Sequence, residues 1–160
     1  LTNDEVKGKI VAINISKKKG IPKTNVQQAT LIENYGIEGD THAGNWHRQI
    51  SLLGIESIKK MREEGLNVRP GAFAENITTE FLNLPKLNIG DKITIGDSVL
   101  EITQIGKECH TKCAIYYQAG DCVMPREGIF ARVLKGGIIK VDDDLKIITE
   151  RESISAGVSD

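Results

Sequence analysis

Cysteine is scarce in this chain, with three copies among 160 residues. An odd count leaves at least one thiol unpaired within the chain. No segment resembles a secretory h-region, and no apolar run is long enough to span a bilayer. These absences point to the cytoplasm, where thiols stay reduced and available for chemistry. The chain also lacks an excess of either charge: 21 Lys and Arg against 22 Asp and Glu leave a formal net charge of −1. General nucleic-acid binders and membrane-surface binders usually carry a strong basic excess, so neither class fits, and any anion site must be local. No Pro/Ser-rich linker or composition shift divides the chain. It reads as one domain over residues 1–160, with its core at about 9–148 and a frayed polar tail over 151–160.

What is present is an ordinary globular composition, 39% hydrophobic and 27% charged, in a chain long enough to bury a core without staples. The pattern is strand-rich. Lys9 to Ile15 is a β-branched run ended by the basic loop Lys17 to Lys23, which reads as solvated. Ala29 to Glu33 and Arg48 to Leu53 can form further strands, with a polar, glycine-laden loop between them. Ile55, Ile58 and Met61 recur three apart, and Gly65 supplies a stop, so the spacing predicts a short amphipathic helix over 54–64. Lys92 to Ile95 and Ser98 to Ile105 flank Gly96-Asp97, a hairpin signature. The last third continues with Gly128 to Leu134, a turn at Lys135-Gly136-Gly137, then Ile138 to Val141 and Leu145 to Thr149. The turn Ile89-Gly90-Asp91-Lys92-Ile93 is echoed by Val141-Asp142-Asp143-Asp144-Leu145. The fold class expected is mainly β, a closed or nearly closed β-barrel carrying one or two short helices.

Two of the three cysteines fall in one basic stretch, Lys107-Glu108-Cys109-His110-Thr111-Lys112-Cys113. A thiol acts as nucleophile, sulfur carrier or metal ligand only as its thiolate, which neighbouring cations favour. Cys109 is therefore the candidate reactive thiol, whereas Cys122, beside Val123 and Met124, reads as a small buried hydrophobe. Three other groups can carry chemistry. In Gly36 to Gly44, Asp40 and His42 can pair as carboxylate and imidazole, or simply hold a turn. Arg48 offers a planar fork for phosphate or carboxylate, and Glu75-Asn76 could read the edges of a heterocycle. Arg126 and Arg132 flank Gly128 as further anion ligands or ordinary surface charges.

In order, Gly39-Asp40-Thr41-His42, Arg48-Gln49-Ile50-Ser51, Pro70 to Asn76, Cys109 and Gly128 to Gly137 resemble the MOSC domain, named after the C-terminal domain of molybdenum cofactor sulfurases. The resemblance runs from about Lys9 to Ile148. It implies a β-barrel and a role with sulfur or the molybdenum cofactor (molybdopterin). The cysteine matching Cys109 would carry persulfide sulfur received from a pyridoxal-phosphate cysteine desulfurase, or bind the metal. Asp40 and His42 would join Cys109 as catalytic residues, and Arg48, Glu75, Asn76 and Arg132 would hold the cofactor.

Alternatives remain open at this point. One is a stand-alone molybdenum reductase of N-hydroxylated compounds, with Cys109 as metal ligand and a partner donating electrons. Another is a zinc-stabilised binding module using Cys109, Cys113 and His110 or His42, although only one cysteine pair has knuckle spacing. The chain lacks the desulfurase and ferredoxin-like additions of larger relatives, so sulfur or electrons are expected from a separate protein. Cys113 maps onto no family position. Asp142-Asp143 replaces the usual Gly-Asp, an indication that the second turn is built differently.

Overall fold

The computed structural model describes residues 6–106 and 127–148. The strands are β1 (Val6–Ile15), β2 (Thr24–Val26), β3 (Gln28–Ile32), β4 (Gly36–Ile37), β5 (Ile50–Gly54), β6 (Ile77–Glu80), β7 (Lys92–Ile95), β8 (Ser98–Ile105), β9 (Ile129–Lys135), β10 (Gly137–Lys140) and β11 (Asp144–Ile148). One α-helix, α1 (Ile55–Glu63), and a single 3₁₀ turn at Leu84–Lys86 complete the described elements.

Strand alternation sets the barrel. In β7 and β8, Ile93, Ile95, Leu100 and Ile102 point inward while Lys92, Thr94, Val99 and Glu101 face outward, the period-2 pattern of a sheet with one face in the core. Seven strands, ordered β11-β7-β8-β9-β5-β6-β1, close into a barrel because the first part of β1 also pairs with β11. All pairings in the ring are antiparallel except β5 with β6, which run parallel and are joined through α1. Beyond the closure, β1 continues to pair with β2, and β10-β3-β4 form a separate three-stranded sheet. Closure leaves the seven-strand ring itself without an open edge, the kind of edge that invites association.

Two apolar clusters follow from this arrangement. Ile10, Ile13, Ile50, Leu52, Ile77, Ile93, Leu100, Ile129 and their neighbours fill the barrel. Outside it, Leu53 and Phe130 pack against Ile55, Ile58 and Met61 of α1. Because α1 covers the outer side of β5, every residue of that strand is buried. Gly65, at φ +98°, ends the helix in the left-handed conformation that a side chain resists.

The helix, the β7–β8 hairpin and the order of the long strands agree with the sequence reading. The expected turn at Lys135-Gly136-Gly137 is instead a passage between sheets: Gly137 opens β10, and a Cβ on Gly136 would lie 2.4 Å from the Leu31 carbonyl oxygen. The turn echo proves to be geometric. Asp91 Oδ2 accepts from Asn88 N at 2.9 Å, and Asp143 Oδ2 accepts from Lys140 N at 2.8 Å. Gly90 N donates to Ile102 O, and Asp142 N donates to Ile10 O. Gly90 and Asp142 both have positive φ, +99° and +78°, so the Asp-for-Gly departure keeps the turn shape and places a side chain in a left-handed position. Among the described residues no helix is long and apolar enough to cross a membrane.

Candidate functional site

The loops that follow β1 and β4 meet around a buried ion pair. Lys23 Nζ lies 2.7 Å from Asp40 Oδ1, and both side chains are completely removed from solvent. The same ammonium reaches Ser16 Oγ at 3.3 Å and His42 Nδ1 at 2.9 Å, which uses its three hydrogens. Asp40 also accepts from the backbone N–H groups of Ser16 and His42, each at 3.1 Å. Burial pushes the Asp40 carboxyl upward, but Lys23 and the Ser16 N–H outweigh it and hold the group below its ordinary value of 3.8. Lys23 sits at the end of a basic loop that the sequence gives no reason to bury. Its burial is visible only once Asp40 is seen opposite.

Glu75 and Asn76 lie beneath this layer, both fully buried. Glu75 accepts from the N–H groups of Gly71 (2.8 Å) and Phe73 (3.2 Å) and from Thr78 Oγ1 (2.7 Å). Burial raises its carboxyl above 4.5 against the lowering effect of these bonds. Asn76 Oδ1 accepts from Ser51 N at 3.0 Å, and Asn76 Nδ2 donates to Asn14 O at 3.1 Å. Their polar atoms are thus engaged within the protein, where they shape the wall. Glu75 holds Gly71, whose carbonyl in turn accepts from Lys23 N at 2.9 Å. At φ +96°, Gly71 approaches so closely that a Cβ would lie 2.4 Å from the Lys23 carbonyl oxygen. Glycine is required there.

Against this frame lies a pocket of about 200 Å³ lined by Lys19, His42, Trp46, Arg48, Ser51, Phe73, Ala74 and Phe130. Ser51 and Phe130 are paired residues of β5 and β9. Neither belongs to the apolar cluster that fills the barrel, so the pocket lies on the barrel's outer wall. The Arg48 guanidinium sits 5.7 Å from the Trp46 ring centre and 5.4 Å from that of Phe130, at cation–π range. Its Nε donates to Gln104 Oε1 at 3.1 Å. Gln104 Nε2 donates to Gly106 O at 2.8 Å, and Gly106 N donates to Gly128 O at 2.7 Å. The pocket is therefore tied to both ends of segment 107–126.

Of the expected site residues, His42 and Arg48 line the pocket, and Asp40 stands directly behind His42. Glu75 and Asn76 support it from below. Arg132 is outside the lining: it lies two residues along β9 from Phe130 and pairs in register with Glu101, and its Nε is buried without a hydrogen-bond partner among the described residues. Cys109, Cys113, Cys122, His110 and Arg126 lie outside the described residues. Lys23, Gln104 and Trp46 are site residues that sequence reasoning missed, since each acts through a contact distant in the chain. A larger cleft of about 650 Å³ flanks α1, but its cation, Lys60, is already 2.8 Å from Glu127 Oε2.

The donor set fits part of a phosphorylated pterin. Lys19, Arg48 and His42 suit an anionic group, and Trp46, Phe73 and Phe130 offer apolar faces to a flat ring. The volume is below that of a site enclosing a drug-sized ligand, so the described pocket has room for no more than one end of such a group.

A family model described as MOSC domain matches residues 39–146. Among solved structures, the YUAD protein from Bacillus subtilis is similar at a TM-score of 0.77 and 17% identity, with 91% of this chain and 98% of that one covered. YiiM from Geobacillus stearothermophilus follows at 0.66 and 22%, covering 88% of this chain and 75% of its own. YiiM from Escherichia coli gives 0.61 and 20%, with coverage of 92% and 76%. No curated protein matches the chain. The structural likenesses establish the barrel, and the family match spans the loop of Asp40 and His42, the turn of Arg48 that leads into β5 and both turns of the echo; the chain belongs to the MOSC domain family.

Proposed function

We propose that this MOSC domain binds the molybdenum cofactor through the pocket of Arg48, His42 and Lys19, with Cys109 as the thiolate that carries persulfide sulfur or contacts the metal. The observation that carries this reading is Arg48, held between two aromatic rings and bonded to Gln104, at the root of the segment that contains Cys109. A guanidinium so fixed is preorganised for a phosphate, and Lys19 adds charge at the same pocket in a protein that is otherwise near neutral. When bound, the cofactor supplies the redox-active molybdenum. The chain's own residues bind and orient it: Arg48 and Lys19 neutralise the anionic end, Trp46 and Phe130 exclude water, and Glu75 and Asn76 hold the wall. Arg132 is the further cation on this face. Sulfur or electrons come from a separate protein, a cysteine desulfurase or an electron donor, in the cytoplasm where the Cys109 thiol stays reduced.

The test is purification from a molybdate-fed, cofactor-competent host, followed by metal analysis and pterin fluorescence. Wild-type protein is expected to carry molybdenum and pterin together, and Arg48→Ala to lose most of both. Absence of both from the folded wild type would sink the reading. Incubating the protein with a cysteine desulfurase and ³⁵S-cysteine then separates the roles of Cys109, because a persulfide carrier acquires label that Cys109→Ser does not.

A further inference from the structure

We infer that Lys23 is a positioning residue which fixes His42 as the Nε2–H tautomer, so that neither ring nitrogen keeps a lone pair for a metal ion. The argument is one of donor and acceptor inventory. An ammonium carries hydrogens and no lone pair, so across the 2.9 Å contact between Lys23 Nζ and His42 Nδ1 the ring nitrogen must accept. A neutral imidazole has a single N–H, which is thereby assigned to Nε2. An imidazolium would set two donors head to head at that distance.

Asp40 enforces the arrangement from the other side. Its Oδ1 anchors the ammonium at 2.7 Å, while its Oδ2 stands 4.0 Å from Nδ1, beyond hydrogen-bond reach. The familiar pairing of carboxylate with imidazole is thus interrupted by a lysine. The carboxylate orients the lysine, and the lysine orients the ring. Ser16 Oγ and the Ser16 N–H complete the cage, and the Gly71 carbonyl holds the Lys23 backbone.

The consequence is a choice of ligand class. A metal ion needs a ring lone pair; the one on Nδ1 is engaged by Lys23, and Nε2 bears hydrogen. An N–H suits an acceptor, be it a protein group or an oxygen of a ligand beside Arg48 and Lys19. The inference deepens the cofactor reading of the same pocket, yet it can fail separately, since the tautomer is read without any cofactor.

The experiment is long-range ¹H–¹⁵N correlation on protein labelled with ¹⁵N-histidine at neutral pH, with the His42 signals identified by their loss in His42→Gln. In the wild type, Nδ1 is expected at the shift of a lone-pair nitrogen and Nε2 at that of a protonated one. Lys23→Met should move the ring toward mixed tautomers or toward Nδ1–H. A wild-type Nδ1–H tautomer overturns the inference even if Lys23→Met does not fold. So does an unchanged pure Nε2–H state in a folded Lys23→Met, or a His42 signal that moves to a metal-ligated position on adding Zn²⁺. Molybdopterin binding that survives such an outcome would leave the cofactor reading intact.

Discussion

Arg48 and Gln104 meet side chain to side chain at 3.1 Å across 56 positions of sequence, and through Gln104 the pocket's central cation is fastened to the end of β8. His47 Nε2 lies 2.9 Å from the same Gln104 Oε1, and Thr103 donates to the His47 carbonyl, so the approach to β5 is laced to β8 by two consecutive residues on each side. The outward bulge of β8 between Ile102 and Gln104 makes this possible, because it turns Gln104 to face the same side as Phe130.

Loss of Arg48 should therefore weaken binding more than loss of its support. A charge-assisted contact contributes on the order of 1.5–3 kcal/mol, so Arg48→Ala is expected to reduce affinity for molybdopterin by about one to two decades. Gln104→Leu should cost several-fold, and Arg132→Ala, outside the lining, less than Arg48→Ala. Calorimetric titration alongside thermal melts checks this. Equal losses for Arg48→Ala and Arg132→Ala would move the anion site along β9.

Asp40→Asn leaves the Lys23 ammonium buried without its counter-charge. Breaking a buried pair in this way costs roughly 3–5 kcal/mol, which lowers the melting temperature of a chain this size by about 6–20 °C at neutral pH. The sign of the pH dependence follows from the lowered folded value of Asp40. Its contribution is present above the ordinary 3.8 and is lost as pH falls through the lower folded value. The gap between wild type and Asp40→Asn should consequently narrow on acidification below 3.8, as followed by chemical denaturation across pH.

Glu75 behaves oppositely. Its carboxyl is raised above 4.5 by burial, so its contribution is fully present below that value and declines as pH rises through the folded value. Glu75→Gln should remove this decline and flatten stability against pH just above 4.5. It should also loosen the Gly71 to Phe73 loop, because one oxygen cannot accept all the bonds that two accept now. Denaturation midpoints between pH 4 and 7 decide the matter; an unchanged slope would show that Glu75 does not titrate differently on folding.

Asp142→Gly is expected to stabilise the protein. A side chain at φ +78° costs about 1–2 kcal/mol, and the entropy of an added glycine returns about 0.5–1, which leaves a net gain of roughly 0.5–1 kcal/mol. The Asp143 cap and the Asp142 N–H bond to Ile10 O do not involve the Asp142 side chain. A rise in melting temperature of about 1–4 °C would register the gain.

The β7–β8 hairpin, the helix and the inward residues of the long strands were legible because burial repeats every second or every third to fourth residue within a single segment. The strands β2, β4 and β6 were not. In β6, Ile77-Thr78-Thr79 is buried throughout, since neighbours on both edges and α1 outside leave no exposed phase to read. At β4 two residues carry no period at all. For the site, Asp40, His42 and Arg48 were marked by residue type and by the family's order, and they do share one region of the barrel wall.

What the amino-acid sequence determined by itself is the class of fold, the turn echo and the identity of the family, all of which reside in local periodicity or in the linear order of motifs. What only the tertiary structure decided is which polar groups line the pocket and which face each other. Lys23 looks like a loop lysine until Asp40 and His42 are brought to it, and Glu75 and Asn76 look like ligand-reading groups until the N–H groups of Gly71, Phe73 and Ser51 claim them. The reason is energetic: a buried charge or amide must be satisfied by partners, and the partners that satisfy it lie wherever the closed barrel brings the chain together, at no fixed spacing in sequence.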